Sequence, residues 1–162
     1  MTRTDELLVR TIEYFAGAPR QAQHLLKVRG FALLIGGAEG LDGAALRVLD
    51  AAAVVHDVGI PPALEKYGSA AGPYQEELGP EQARALMAGW PEDEVERVCW
   101  LVAHHHHDRD VTDPDHRALV EADWLVNLYE HGAAPEFARE IFESVFRTAM
   151  GRRLFQAMFR TE

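Results

Sequence analysis

Residues 42–59, DGAALRVLDAAAVVHDVG, decide the fold class of this chain. The apolar residues of this stretch recur with the three- and four-residue spacing of one helix face, as at Leu46, Leu49 and Ala53, and they do not alternate as in a half-buried strand. Asp42 is a typical helix N-cap, and the GIPP sequence at residues 59–62 ends the helix because proline cannot continue it. The stretch therefore predicts a largely apolar α-helix.

The same helical spacing of apolar residues continues on both sides of this stretch. It predicts further helices at residues 4–15, 19–36, 80–88, 91–106, 115–130, 135–146 and 149–159. The Gly- and Pro-rich residues 61–79 predict a surface loop that covers a site, with one short helical piece at 63–67. We therefore expect an all-α chain, a single domain over residues 1–162 with its core at about 20–130 and C-terminal helices at 135–160.

Composition and charge narrow the class of protein. The 162 residues are 48% hydrophobic, which suits one domain with a single core, and 26 acidic against 16 basic residues give a formal charge of −10. This charge repels polyanions and argues against a nucleic-acid polymer as partner, whereas a small anionic metabolite is compatible with a site that holds a cation. Cys99 is the only cysteine, and the first residues resemble neither a signal peptide nor a membrane anchor. We expect a cytoplasmic protein without disulfides or membrane contact.

Side chains that can bind a metal lie on helix faces that the apolar pattern would bury. They are His24, His56 with its neighbour Asp57, the pair His104 and His105, and Asp123. A buried aspartate is costly unless it is paired or binds a cation, and neutral imidazoles are common metal ligands. Asp57 can reach the same ion as His56 because the break at residue 59 frays the last helical turn. One shared ion satisfies these groups, and its ligands suit Mn, Fe, Co, Ni or Zn without choosing among them.

The order of these residues resembles the HD-domain superfamily of metal-dependent phosphohydrolases. Residues 24–28, HLLKV, are similar to the family's H-x-x-[KR]-V pattern, and residues 53–59, AVVHDVG, are similar to its apolar-HD-[IV]-G signature. The aspartate of EAD at residues 121–123 is similar to the family's closing aspartate. The resemblance covers about residues 20–130 and implies a helical bundle of the HD-domain type with a central metal site. It also implies the ligands of a first ion: His24, His56, Asp57 and Asp123.

A second ion is an open question at the level of sequence. The resemblance implies that Asp57 bridges to this ion in binuclear members, and that a histidine pair helps to hold it, here His104 and His105. Those members carry a further histidine where this chain has Gln75. The second site is therefore absent, weak, or completed by a carboxylate such as Glu76, which has Glu77 beside it. We expect one or two divalent ions per chain, the first bound more tightly.

The implied function is hydrolysis of a small phosphate ester, such as a nucleotide, by a metal-activated water. Asp57 is the candidate for orienting this water. His104 or His105 could serve as a second metal ligand or as a hydrogen-bond donor to the phosphate, and Lys66 could contact the phosphate. Two alternatives stay open. One is a di-iron oxygenase of the same framework, against which Gln75 weighs; the other is a catalytically silent metal-binding sensor or interaction module, against which the four retained ligands count.

Overall fold

The computed structural model describes residues 1–159, and in this range it contains nine α-helices and no strand. The helices are α1 (Arg3–Tyr14), α2 (Pro19–Ala38), α3 (Gly43–Val55), α4 (Ile60–Tyr67), α5 (Gly72–Leu86), α6 (Glu92–His104), α7 (Pro114–Glu130), α8 (Pro135–Ser144) and α9 (Ala149–Met158). The all-α class predicted from the apolar spacing is confirmed. No described helix is both long and apolar enough to cross a membrane.

Helix α3 lies at the centre of the fold, where it contacts α1, α2, α6 and α7. Its last five residues, 51–55, are all fully buried. The small side chains of Ala51, Ala52 and Ala53 let neighbouring helices approach closely, so this sequence suits a helix surrounded by others. Asp42 caps the first turn as predicted, because its side chain accepts a hydrogen bond from the backbone N–H of Ala45 at 2.8 Å.

The predicted covering loop at residues 61–79 is wrong. This part of the chain forms α4 and the first half of α5, and only residues 68–71 separate the two helices. Pro61 and Pro73 lie in the first turns of these helices, where a backbone N–H would have no intrahelical partner. The prolines that suggested a loop are therefore residues that begin helices.

Gly79 and Pro80 do not end a helix, although the sequence predicted that one begins at residue 80. A Cβ added at Gly79 would lie 2.7 Å from Cγ1 of Val102, so this glycine permits close packing of α5 against α6. A Cβ added at Gly59 would lie 2.4 Å from the carbonyl oxygen of Gln75. The two glycines thus hold the start of α5 directly against the turn that follows α3.

A buried carboxylate joins the C-terminal helices to α7. Glu121 is fully buried and accepts hydrogen bonds from the backbone N–H groups of Arg147 and Thr148, at 2.7 and 3.0 Å, and from the Thr148 hydroxyl. Thr148 is itself the N-cap of α9 and accepts from the N–H of Gly151. Because a negative charge is stabilised at a helix N-terminus, Glu121 anchors α9 against α7.

Candidate metal centre

Four side chains from α2, α7 and the turn after α3 converge at one point. His24 Nε2 lies 3.2 Å from His56 Nε2, 3.4 Å from Asp57 Oδ2 and 3.1 Å from Asp123 Oδ1, and His56 Nε2 lies 3.5 Å from the same two carboxylate oxygens. All four residues are buried. We call these four residues the metal cluster; the structure thus brings together the predicted ligands of the first ion.

The local backbone explains how two neighbours in sequence reach the same point. The last helical residue of α3 is Val55, and His56 and Asp57 lie in the turns between α3 and α4. Consecutive residues of an ideal helix would point about 100° apart, so both side chains reach the cluster because the helix has ended. His24 comes from α2 and Asp123 from the middle of α7, two helices that pack against each other.

The outer ring nitrogens of the two histidines fix their tautomers. His24 Nδ1 donates to Glu130 Oε2 at 3.0 Å, and His56 Nδ1 donates to the carbonyl oxygen of Ala53 at 2.9 Å. A carboxylate and a carbonyl can only accept, so both Nδ1 atoms carry the proton. When the rings are neutral, each therefore points an Nε2 lone pair at the centre of the cluster, as a metal-binding histidine does.

The charges of the cluster call for a positive charge at its centre. Burial opposes protonation of His56, but the nearby charges of Asp57 and Asp123 outweigh it and raise the pKa of His56 to about 9. The pKa of His24 is raised as well, because Asp123 and Asp57 overcome the effects of burial and of His56. The pKa values of both aspartates are lowered, since the histidines prevail over burial. A proton or a metal ion can supply the missing charge.

The donor set and its spacing fit a divalent metal ion. His24, His56 and Asp123 offer ligand atoms that all lie within 4.8 Å of one another, and these residues could hold an ion. Ligand atoms about 2.0–2.2 Å from a common ion lie roughly 3.0 Å apart at a right angle and roughly 3.4 Å apart at a tetrahedral angle. The cluster distances of 3.1–3.5 Å are of this size. In addition, Asp123 Oδ1 is buried without a hydrogen-bond partner, which suits a metal ligand.

His105 lies beside the cluster, whereas the expected inward orientation of His104 is wrong. His105 is buried, its Nδ1 donates to the carbonyl oxygen of Val102, and its unpartnered Nε2 lies 3.6 Å from Asp57 Oδ1. His104 ends α6, stacks on Trp100 and bonds to the carbonyl oxygen of that residue. The helical period gives the reason: His105 follows the buried Leu101 by four residues, and His104 follows the partly exposed Trp100 by four.

The residues expected to complete a second site are arranged differently. Gln75 is buried and donates its side-chain N–H to the carbonyl oxygen of Ala70, while its Oε1 is buried without a partner. Glu76 turns away: it accepts from the backbone N–H of His106 and pairs with His107. The prediction that Glu76 completes a second metal site therefore has no support from its position, because its carboxylate is bound elsewhere.

Lys66 and Glu77 pair with each other on the surface. Lys66 Nζ lies 2.8 Å from Glu77 Oε1, and both side chains are about half exposed. Neither residue lines the cleft that opens on the metal cluster. Lys66 thus lies apart from the place where we expected it to meet a phosphate, because α4 is a helix and carries the lysine on its outer side.

A cleft of about 790 Å³ opens on the metal cluster, and sequence reasoning missed several residues that line it. Gln21 donates to Asp57 Oδ2 at 2.7 Å, and Glu130 accepts from His24 and pairs with Lys27 Nζ at 2.6 Å. Helical spacing contained this information: Gln21 precedes His24 by three residues, and Glu130 follows Asp123 by seven. Arg20 is the only lysine or arginine among the described residues that line the cleft.

Comparison with known proteins agrees with the motifs found in the sequence. The family model described as HD domain matches residues 22–128, which is well over half of the chain and includes the whole metal cluster. No curated protein and no solved structure matches the chain. The resemblance carried by residues 24–28, 53–59 and 121–123 is therefore confirmed at the level of the family.

Proposed function

Because this chain belongs to the HD domain family, we propose that it is a metal-dependent phosphohydrolase that acts on a small phosphate ester. The observation that carries this proposal is the metal cluster itself, in which each of two imidazole nitrogens lies 3.1–3.5 Å from an oxygen of both aspartates, beside a cleft of about 790 Å³. His24, His56, Asp57 and Asp123 would hold the ion. A bound Mn, Fe, Co, Ni or Zn ion supplies a Lewis acid that polarises a phosphoryl oxygen and lowers the pKa of water.

Asp57 and His105 prepare the attacking water. Asp57 Oδ2 is held by Gln21, which leaves Oδ1 facing His105 Nε2 at 3.6 Å. Because His105 Nδ1 donates to a carbonyl oxygen, its Nε2 is a proton acceptor, and it has no partner in the protein. A water in contact with both Asp57 and His105 would be oriented by the carboxylate and would lose a proton to Nε2 as its oxygen bonds to phosphorus. The P–O bond to the alcohol would break, and the proton on Nε2 could then pass to the leaving alkoxide.

Gln75 supports the same water. Its Oε1 is buried, unpartnered and lines the same cleft, and the bond from its amide nitrogen to Ala70 determines which way the oxygen points. An amide oxygen accepts a hydrogen bond but takes no proton near neutral pH. Gln75 is therefore a positioning residue in this proposal, and His105 is the base.

Arg20 takes the role that the sequence suggested for Lys66. It is the only guanidinium or ammonium group among the described residues that line the cleft. One of its nitrogens donates to the backbone oxygen of Glu130 at 3.2 Å, which leaves its other donors for a ligand. A guanidinium can bind two phosphate oxygens at once, so Arg20 would hold the phosphoryl group in line with the attacking water.

The test is restoration of phosphatase activity by metal. Protein stripped with a chelator should release no phosphate from phenyl phosphate, and Mn²⁺ should restore turnover in the native chain but not in Asp57→Ala. Asp110→Ala, which removes an exposed carboxylate outside the cluster, is the matched control and should be restored fully. Absence of turnover with every ion from Mn to Zn would contradict the proposal, and metal-dependent consumption of O₂ instead of phosphate release would indicate an oxygenase.

A further inference from the structure

Part of the cleft wall, which we call the aromatic end, is apolar and aromatic. It is lined by Trp124 and Phe137, whose ring centroids lie 6.2 Å apart with the planes at 63°, and by Leu128 and Ala133. Phe137 is 45% exposed although it is a large apolar residue, so its ring faces the cleft without a protein partner that buries it. This surface can hold part of a ligand other than its phosphate group.

The size of the cleft agrees with a ligand that has two parts. Small-molecule sites commonly have volumes of about 300–1,000 Å³, and they bury most of the surface of their ligands. The volume of about 790 Å³ is in the upper part of this range, so the cleft can hold more than a phosphate group alone. The aromatic end can then accommodate the alcohol that the phosphate esterifies.

The charges that line the cleft limit what this alcohol can carry. Arg20 is the only guanidinium or ammonium group along its described wall, and Asp108 lies at the aromatic end, where its Oδ2 accepts from Trp124 Nε1 at 3.0 Å. A second phosphate or a carboxylate at this end would meet the Asp108 charge, and the only arginine or lysine of the described wall, Arg20, is needed for the phosphate group. Burying an unpaired charge is costly, so the aromatic end favours an uncharged group.

From these contacts we propose that the substrate is a phosphate monoester of an uncharged aromatic alcohol, whose ring packs against Trp124 and Phe137. The inference rests on the proposed function for the phosphate end only. Flat rings pack on the faces and edges of aromatic side chains with more stabilisation than their buried area alone provides. Esters that carry further anionic groups, including di- and triphosphates, are disfavoured by Asp108.

The inference can be tested by binding, without turnover. Phosphonates keep the phosphate-like head but replace the ester oxygen by carbon, so they can be titrated calorimetrically into the Mn²⁺-loaded protein. The native chain should bind phenylphosphonate roughly tenfold more tightly than methylphosphonate and more tightly than cyclohexylphosphonate, which matches its bulk but is not flat. Phe137→Ala should remove the preference for the phenyl group, and Leu34→Ala, an exposed apolar residue of α2 outside the cleft, should retain it.

A second arm of the experiment tests the role of Asp108. The native chain should bind 4-carboxyphenylphosphonate more weakly than phenylphosphonate, and Asp108→Asn should narrow this gap because it removes the charge but keeps an acceptor for Trp124. Equal binding of the methyl and phenyl compounds, equal binding of the cyclohexyl and phenyl compounds, or a preference that survives Phe137→Ala would overturn the inference.

The outcomes separate this inference from the proposed function. Phosphonate binding without a phenyl preference would contradict the aromatic substrate and leave the hydrolase proposal intact. A phenyl preference in a protein that hydrolyses no phosphate ester would support the aromatic site and contradict the hydrolase proposal. Failure of every phosphonate to bind would contradict both.

Discussion

Replacement of Glu130 by glutamine should weaken metal binding while leaving the helical fold intact. Glu130 does not belong to the metal cluster, but its Oε2 accepts the Nδ1 proton of His24 at 3.0 Å and its Oε1 pairs with Lys27 Nζ at 2.6 Å. Burial raises the pKa of this carboxyl group, but Lys27 and His24 prevail and lower it, so the group is ionised at neutral pH. Its negative charge makes His24 Nε2 a better ligand and holds the ring in place.

The size of the effect follows from what each substitution removes. Loss of an outer partner of a ligating histidine typically costs about 10- to 100-fold in metal affinity. Glutamine keeps an oxygen that can accept from His24 Nδ1 but loses the charge, so we expect about a tenfold loss, at the lower end of this range. Glu130→Ala removes both acceptor and charge, so its loss should approach about 100-fold.

Calorimetric titration of Mn²⁺ into the apo-protein measures these affinities, and circular dichroism reports whether each variant is folded. Glu77→Gln is the matched control: it makes the same chemical change in a carboxylate that pairs with Lys66 at 2.8 Å on the surface, outside the cleft. If folded Glu130→Gln and Glu130→Ala bind Mn²⁺ as tightly as the native chain, the assigned role of Glu130 is wrong. An equal loss in Glu77→Gln would attribute the effect to net charge.

Three further predictions test the base, the packing of α9 and the response to acid. His105→Ala should lower kcat for phosphate release by about 10²- to 10⁴-fold, as expected for loss of a general base. The ring of His104 stacks on Trp100, so the control His104→Ala should leave kcat unchanged. Equal losses of kcat in the two variants, measured by steady-state kinetics, would refute the assignment of His105 as the base. Gly151→Ala places a Cβ 1.9 Å from Glu121 Oε2 and should lower the free energy of unfolding by about 1–3 kcal/mol in urea titrations. The control Gly30→Ala, which has open space around its Cβ, should raise the free energy of unfolding by up to about 1 kcal/mol. An unchanged free energy of unfolding in Gly151→Ala would show that Glu121 is not held as described. Burial raises the pKa of Asp115, but the hydrogen bonds that Arg97 donates to this carboxylate prevail and lower the pKa. The contribution of Asp115 to stability is therefore present above its unfolded pKa of about 3.9 and is lost as the pH falls through the lower pKa of the folded state. Urea titrations from pH 5 downwards should therefore show a steeper loss in the native chain than in Asp115→Asn, and parallel curves would contradict this.

Three residues of the metal cluster could be located from the sequence because each interrupts a buried apolar stripe. His24, His56 and Asp123 occupy positions where the helical period calls for apolar side chains, and the break at residue 59 explained how Asp57 joins them. These signals are local, since a face of a helix is visible in the spacing of its residues. Most of the other helices could be predicted from the same spacing, and the α3 N-cap from the side chain of Asp42.

Other features depend on contacts between helices, which the spacing of one segment does not contain. Gly79 and Pro80 resemble the end of a loop, yet Gly79 fits against Val102 and α5 continues through both residues. The choice between His104 and His105 depended on whether Leu101 or Trp100 marks the buried face, and the sequence offers an apolar residue at both positions. Glu76 could turn inward or outward by rotation of its side chain, and the backbone N–H of His106 decides the matter.

We propose that phosphate ester hydrolysis by this protein depends on one metal ion held by the metal cluster. The most direct test is phosphate release from phenyl phosphate by chelator-stripped protein, measured while Mn²⁺ is added in fractions of an equivalent. We predict that activity rises linearly and reaches its plateau at one equivalent per chain, because Glu76 and His104 point away from the place of a second ion. A plateau that is reached only at two equivalents would contradict hydrolysis with a single ion, and no activity at any ratio of metal to protein would contradict the proposed hydrolase.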